Sequence, residues 1–373
     1  MTNYYYSWGL ASIGLVVCII MLFISKPSIT YISPQKNNVA KGVGLFFLLY
    51  ILNSIFSFWE WDTYHSWGDF VLAKQYENFE INNYEPFYNW LASITRFNYF
   101  LWRTLIWTPA CLFLYWAGKR LNILNRNLLL AMVLFLVFLY SARNLLGLAM
   151  LLLGLVMLID DSSHSKVFGL LLVGASYFFH RTMYITIIFA AIAFFKLNKG
   201  RITILLLLFP LFSVATTYLI NNIVSGKWVV SLGELGNDGN KVVLYAGMER
   251  AKSTIFGIIR QIITYVPQYL ALVYVVKRIV FDNVLEGDKQ QRIWTFLMRF
   301  SFVCIYVAST FYFAETSMWV YERFKYMGMI PLTFVLAKVW SLEPKTNVWV
   351  KALILLQLLS LSYRWLDQYL HWS

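Results

Sequence analysis

Charge is scarce in this chain. Only 13% of its 373 residues are Asp, Glu, Lys or Arg, where a soluble globular domain carries about 25%. No stretch between the apolar runs is long enough for a soluble domain of typical size, about 100–150 residues. Cysteine is scarcer still. Cys18, Cys111 and Cys304 each sit in an apolar segment at unrelated spacings, which excludes a disulfide framework and a metal-ligand cluster; all three read as small packing residues. No basic residue precedes the first apolar run, about Trp8 to Ser25, whereas Lys26, Lys36 and Lys41 follow it. That order predicts a retained helix with its N-terminus outside, not a cleaved signal peptide. Internal repeats and low-complexity segments are also missing.

What fills the chain is apolar sequence: 60% of residues are hydrophobic and the mean hydropathy is +0.61. The expectation is an all-α integral membrane protein forming a single polytopic domain over residues 1–373. About twenty apolar residues span a bilayer as helix. That length picks out about twelve spans, near 7–25, 40–59, 99–118, 127–141, 144–160, 166–180, 182–197, 201–223, 255–279, 293–314, 319–339 and 347–366.

The net charge of +13 has a plain explanation. Basic residues accumulate in cytoplasmic loops, and no nucleic-acid partner is required. Lys26/Lys36/Lys41, Lys119/Arg120/Arg126, Lys166, Lys196/Lys199/Arg201, Lys277/Arg278/Lys289/Arg292 and Lys338/Lys345 fall in alternate loops. Twelve spans place all of these on one side, with both termini outside. Two longer loops, about 60–98 and 224–254, then face outward. The first is acidic and aromatic; the second bears Gly and Asn, with a short interfacial helix suggested near Leu244 to Lys252.

Against that background, ionisable residues at the outer helix ends stand out. Arg143 follows Ser141-Ala142, and His180 and Arg181 follow Phe178-Phe179. Intramembrane charge is costly and marks function. The same topology brings Asp62 and Glu85 of the first outer loop, Arg260 of the ninth span, and Glu322 and Arg323 of the eleventh to the same face. Arginine presents a planar fork that suits phosphate, although each arginine alone also fits interfacial snorkelling. His180 suits a general base, the role histidine fills most often; its structural alternative is a helix-end residue bonded to a backbone carbonyl. Glu60-Trp61-Asp62 forms an acid-x-acid pair able to hold a divalent metal or act as base. The loop aromatics, among them Tyr64, Phe87, Tyr88 and Trp90, can stack on sugar rings or form an interfacial belt.

Taken in order, Asp62-x-Tyr64, Tyr84-Glu85-Pro86-Phe87-Tyr88, Ser141-Ala142-Arg143-Asn144 with Gly147, Phe179-His180-Arg181-Thr182 and Glu322-Arg323-Phe324-x-Tyr326 resemble the EpsG family of Wzy-type bacterial polysaccharide polymerases, from about residue 40 to 335. The resemblance implies a GT-C-like bundle in the cytoplasmic membrane of a bacterium, with its active site on the extracytoplasmic face. It implies transfer of a growing glycan from undecaprenyl pyrophosphate to a terminal sugar hydroxyl of another lipid-linked repeat unit, for capsule, exopolysaccharide or O-antigen. It also implies no metal cofactor, and a flippase and a chain-length regulator as neighbours in export. His180, Arg143 and Asp62 are then the catalytic candidates. Arg181, Arg260, Arg323, Glu85, Tyr64 and Glu322 are candidates for binding pyrophosphate or glycan. Arg181 departs from the expected pattern as a second cation beside the histidine. The alternatives are a GT-C-type glycosyltransferase or O-antigen ligase, which shares architecture and donor, and a lipid-linked oligosaccharide flippase. Transporters tend to carry internal repeats with binding near the midplane, and neither feature is read here.

Overall fold

The computed structural model describes residues 68–73, 86–121, 142–159, 163–180, 183–224, 255–312, 318–342, 348–353 and 355–356. Helix is the only regular secondary structure among these residues. It comprises α1 (Pro86–Ile94), α2 (Tyr99–Arg120), α3 (Ala142–Ile159), α4 (Ser163–Phe179), α5 (Met183–Ala193), α6 (Lys199–Val224), α7 (Ile255–Val276) with a π-helical turn at Lys277–Phe281, α8 (Gln291–Tyr312) and α9 (Met318–Leu342). Residues 68–73 and 348–353 are also helical.

Helices thus stand where the apolar runs beginning near 99, 144, 166, 182, 201, 255, 293 and 319 predict them. The runs at 7–25, 40–59 and 127–141, and the segment near Leu244 to Lys252, lie outside the described residues. Among the described residues, two helices are long and apolar enough to cross a membrane: Lys199–Asn222 in α6 and Gln291–Phe311 in α8. Shorter apolar helices run over Arg143–Ile159, His164–Phe179 and Met183–Ala193.

The segment read from the sequence as the first outer loop carries a helix the spanning rule passes over. At nine residues, α1 is far below spanning length, yet Pro86 supplies a preset first-turn φ and Tyr88, Leu91 and Ala92 are buried on one face. Its C-terminus closes as a Schellman turn: Arg96 N–H donates to Ser93 O at 2.9 Å and Phe97 N–H to Ala92 O at 2.9 Å. Arg96 and Phe97 sit in the left-handed region, at φ 51° and 53°. Asn98 then caps α2, accepting from Leu101 N–H at 3.1 Å. Phe70 anchors the corner, its ring 5.0 Å from Trp102 and 5.5 Å from Tyr99.

The chain forms two compact units. The first holds residues up to Ile187, Pro267–Ala271 and Thr333 onward; the second holds Ile188–Val266 and Leu272–Leu332. In the first unit α3 packs against both α2 and α4. An all-round apolar helix is stable only when enclosed, and from Leu145 to Met157 every side chain of α3 is buried. Its approach to α4 is set by glycine. A Cβ on Gly154 would lie 2.8 Å from Gly169 O, and one on Gly169 would lie 2.7 Å from Gly154 O. Between apolar helices in lipid, such close approach replaces the missing hydrophobic drive with dispersion.

In the second unit Gly328 plays the same part, a Cβ there meeting Cys304 Cβ at 2.9 Å and Ser301 O at 3.0 Å. Tyr306 of α8 donates to Leu205 O of α6 at 2.6 Å. Pro210, inside α6, leaves the neighbouring carbonyl of Leu206 without its helical donor. The two candidate spans differ in surroundings: 72% of the α8 span is buried, against 6% for α6.

Candidate functional site

Arg143 and His180 share one end of the first unit. Antiparallel packing brings the start of α3 to the end of α4: a Cβ on Gly147 would meet Met183 Cγ at 3.0 Å and His180 Cβ at 3.3 Å. Gly147 lies one helical turn beyond Arg143, so both project from the same side of α3. At the opposite end of the unit, Arg120 Nη1 donates to Ser165 Oγ at 3.0 Å. The basic residues assigned to inner loops and the pair assigned to the outer face therefore occupy opposite ends of these helices.

Helix α1 clasps the Arg143 end. Phe87 packs edge-on against Phe179, centroids 4.7 Å apart, while Tyr88 donates its hydroxyl hydrogen to Arg143 O at 3.3 Å. The Tyr88 ring also lies 5.9 Å from the Arg143 guanidinium carbon. Tyr88 is fully enclosed, its ring 6.0 Å from Trp102, whose indole N–H donates to Tyr88 O at 3.1 Å. Of the two roles the sequence leaves for this aromatic, sugar stacking and interfacial belt, its burial permits neither; Tyr88 is a support beneath Arg143. Trp90 is 58% exposed and keeps an open ring.

His180 ends α4. Its N–H donates to Ser176 O at 3.1 Å and its carbonyl accepts from Met183 N–H at 2.9 Å, and the residue is 9% exposed. The second of these backbone bonds ties the end of α4 to the start of α5. Arg143 is half-buried.

The remaining candidates are placed less fully. Arg260 lies on α7 and Glu322 and Arg323 on α9, all helical and all in the second unit. Asp62, Tyr64, Glu85, Arg181 and the Glu60 partner of Asp62 lie outside the described residues. Among the described residues no three His, Cys, Asp or Glu side chains come together.

Several buried polar side chains went unmarked in the sequence. Arg103 is 1% exposed, its guanidinium 4.2 Å from the Trp107 ring centroid. Lys325, also 1% exposed, has its ammonium 4.9 Å from the Tyr326 ring centroid. Gln268 is buried as well, and so is Asn144, which the sequence shows only as the residue after Arg143 in its motif. Arg103 and Lys325 carry the same signal as Arg143, a cation inside an apolar run.

A family model for the EpsG family matches residues 43–372. The chain belongs to the EpsG family, a family of Wzy-type polysaccharide polymerases. No curated protein and no solved structure matches it. Membership makes the protein a polysaccharide polymerase in general terms, with a lipid-linked oligosaccharide as substrate. Two helices of spanning length accord with a membrane location.

Proposed function

We propose that this protein, a single GT-C-like domain of about twelve spans in a bacterial cytoplasmic membrane, polymerises lipid-linked repeat units at its extracytoplasmic face. The donor is a glycan on undecaprenyl pyrophosphate. A hydroxyl on the terminal sugar of a second lipid-linked unit attacks the donor's anomeric carbon. The new glycosidic C–O bond forms as the anomeric C–O–P linkage breaks, and the electron pair leaves on undecaprenyl pyrophosphate. The hydroxyl proton passes to a base. No nucleotide sugar or metal enters this scheme.

One observation carries the assignment of residues: α1 and Gly147 hold a half-buried arginine and a histidine at the same end of two adjoining helices. Such a pair suits the two demands of the reaction. Arg143 places a fixed bidentate cation where charge develops on the departing pyrophosphate. His180 is the base for the attacking hydroxyl, with Asp62 as the competing base. Arg181, Arg260 and Arg323 assist on the pyrophosphate, and Glu85, Tyr64 and Glu322 orient glycan hydroxyls. A flippase and a chain-length regulator are the expected neighbours in the membrane.

The test supplies purified protein in detergent with the lipid-linked repeat unit alone. A ladder of longer lipid-linked glycans is expected. A single product of fixed length would indicate a ligase or simple transferase, and no covalent product a flippase. Activity that vanishes with a chelator would instead favour a metal held at Glu60 and Asp62.

A further inference from the structure

Asn144 follows Arg143 in the first turn of α3 and is 8% exposed. Its Oδ1 is enclosed and has no hydrogen-bond partner among the described residues. Around it α3 is apolar: Leu145, Leu146 and Leu148 are all buried. Unpaired buried polar atoms are rare in native proteins, and each needs a reason. Folding gains nothing from a carboxamide here, since leucine fills a similar volume without the desolvation cost. A ligand that supplies the missing hydrogen would account for it.

We propose that Asn144 recognises the sugar bonded directly to the pyrophosphate, through a hydroxyl of that sugar. This rests on reading Arg143 as the pyrophosphate clamp. The chemistry separates sugar from headgroup. Ionised phosphate oxygens only accept hydrogen bonds, so they leave a carboxamide oxygen unsatisfied, whereas a hydroxyl donates to it. The same carboxamide offers its NH2 to a neighbouring hydroxyl oxygen, matching the paired donors and acceptors of a polyol. Asn144 shares the first turn of α3 with Arg143 although its side chain leaves the helix about 100° away, so the two groups would meet ligand parts at one helix end, the pyrophosphate and the sugar next to it.

The experiment compares wild type with Asn144→Leu in detergent, measuring thermal melting and the binding of two probes. One probe is undecaprenyl pyrophosphate; the other is the same lipid carrying the oligosaccharide repeat unit. Asn144→Leu is expected to melt at or above the wild-type temperature and to bind the bare lipid as wild type does. It should bind the sugar-bearing lipid about tenfold more weakly, equivalent to about 1.4 kcal/mol. Equal weakening for both probes would assign Asn144 to the headgroup and overturn the proposal. Unchanged binding of both would overturn it too, as would a lowered melting temperature with both lost. Wild-type protein that binds neither probe would instead remove the polymerase reading on which the proposal stands.

Discussion

Tyr88 donates its hydroxyl hydrogen to the main-chain carbonyl of Arg143 at 3.3 Å, a bond that holds the backbone in the first turn of α3. Arg143 is thereby positioned from α1, a helix remote from it in sequence. Removing the hydroxyl alone, in Tyr88→Phe, is expected to cost about 0.5–1.5 kcal/mol and to slow glycan laddering several-fold. Tyr88→Ala also removes a fully buried ring and is expected to cost about 3–5 kcal/mol. Thermal melting in detergent separates the two; equal losses would mean that the ring contributes no packing.

The proposed catalytic roles of Arg143 and His180 are tested by truncation. Arg143→Ala and His180→Ala are each expected to lower the rate of ladder formation about a hundredfold or more, while both proteins still insert. Arg143→Lys keeps the charge and loses the planar fork, so an intermediate rate is expected. Wild-type laddering by either alanine variant would sink the assignment.

Glycine substitutions should sort by what a Cβ would meet. At Gly154 and Gly169 it meets backbone below 3.0 Å, which cannot move aside cheaply, so alanine there is expected to cost about 1–3 kcal/mol. At Gly174, in the same α4, nothing lies within 4 Å, and alanine is expected to stabilise the helix by about 0.8–1.0 kcal/mol. Gly147 falls between. Its nearest neighbour is the flexible Met183 side chain, so Gly147→Ala should insert and melt near the wild-type temperature, yet lose activity through displacement of His180. Melting temperatures and ladder assays of the four variants check the order; a Gly154→Ala protein as stable as Gly174→Ala would contradict the crossing.

Gln268 of α7 is 1% exposed, with neither carboxamide atom paired among the described residues. Replacing an unsatisfied buried amide by an apolar side chain of similar volume removes a desolvation cost. Gln268→Leu is expected to raise stability by about 1–3 kcal/mol. A lowered melting temperature would reveal a partner that the amide needs.

Much of this arrangement was legible in the sequence, and the reasons are physical. Long apolar runs are most stable as helix, where every backbone group is paired within the segment, so α2, α6, α7, α8 and α9 could be read as helices from hydropathy alone. Arg143 and His180 were legible because a charge in such a run is expensive. Helix α1 was not, since nine residues in an aromatic loop carry too weak a period, and its burial depends on Trp102 and Phe179, contacts that only folding creates. The role of Gly147 was hidden for the same reason: a glycine announces that something comes close, never what. Asn144 was in view within its motif, but an unpaired oxygen is visible only once its neighbours are in place.

The crossing at Gly154 and Gly169 has a mechanical consequence. Two helices in backbone contact cannot slide past one another without driving carbonyl into carbonyl, so α3 and α4 act as a fixed jaw with its pivot locked. Arg143 and His180 stand at one end of that jaw, so the crossing sets the spacing of their backbones. On the proposed reaction, a lipid-linked chain that advances after every addition would move against an unyielding frame.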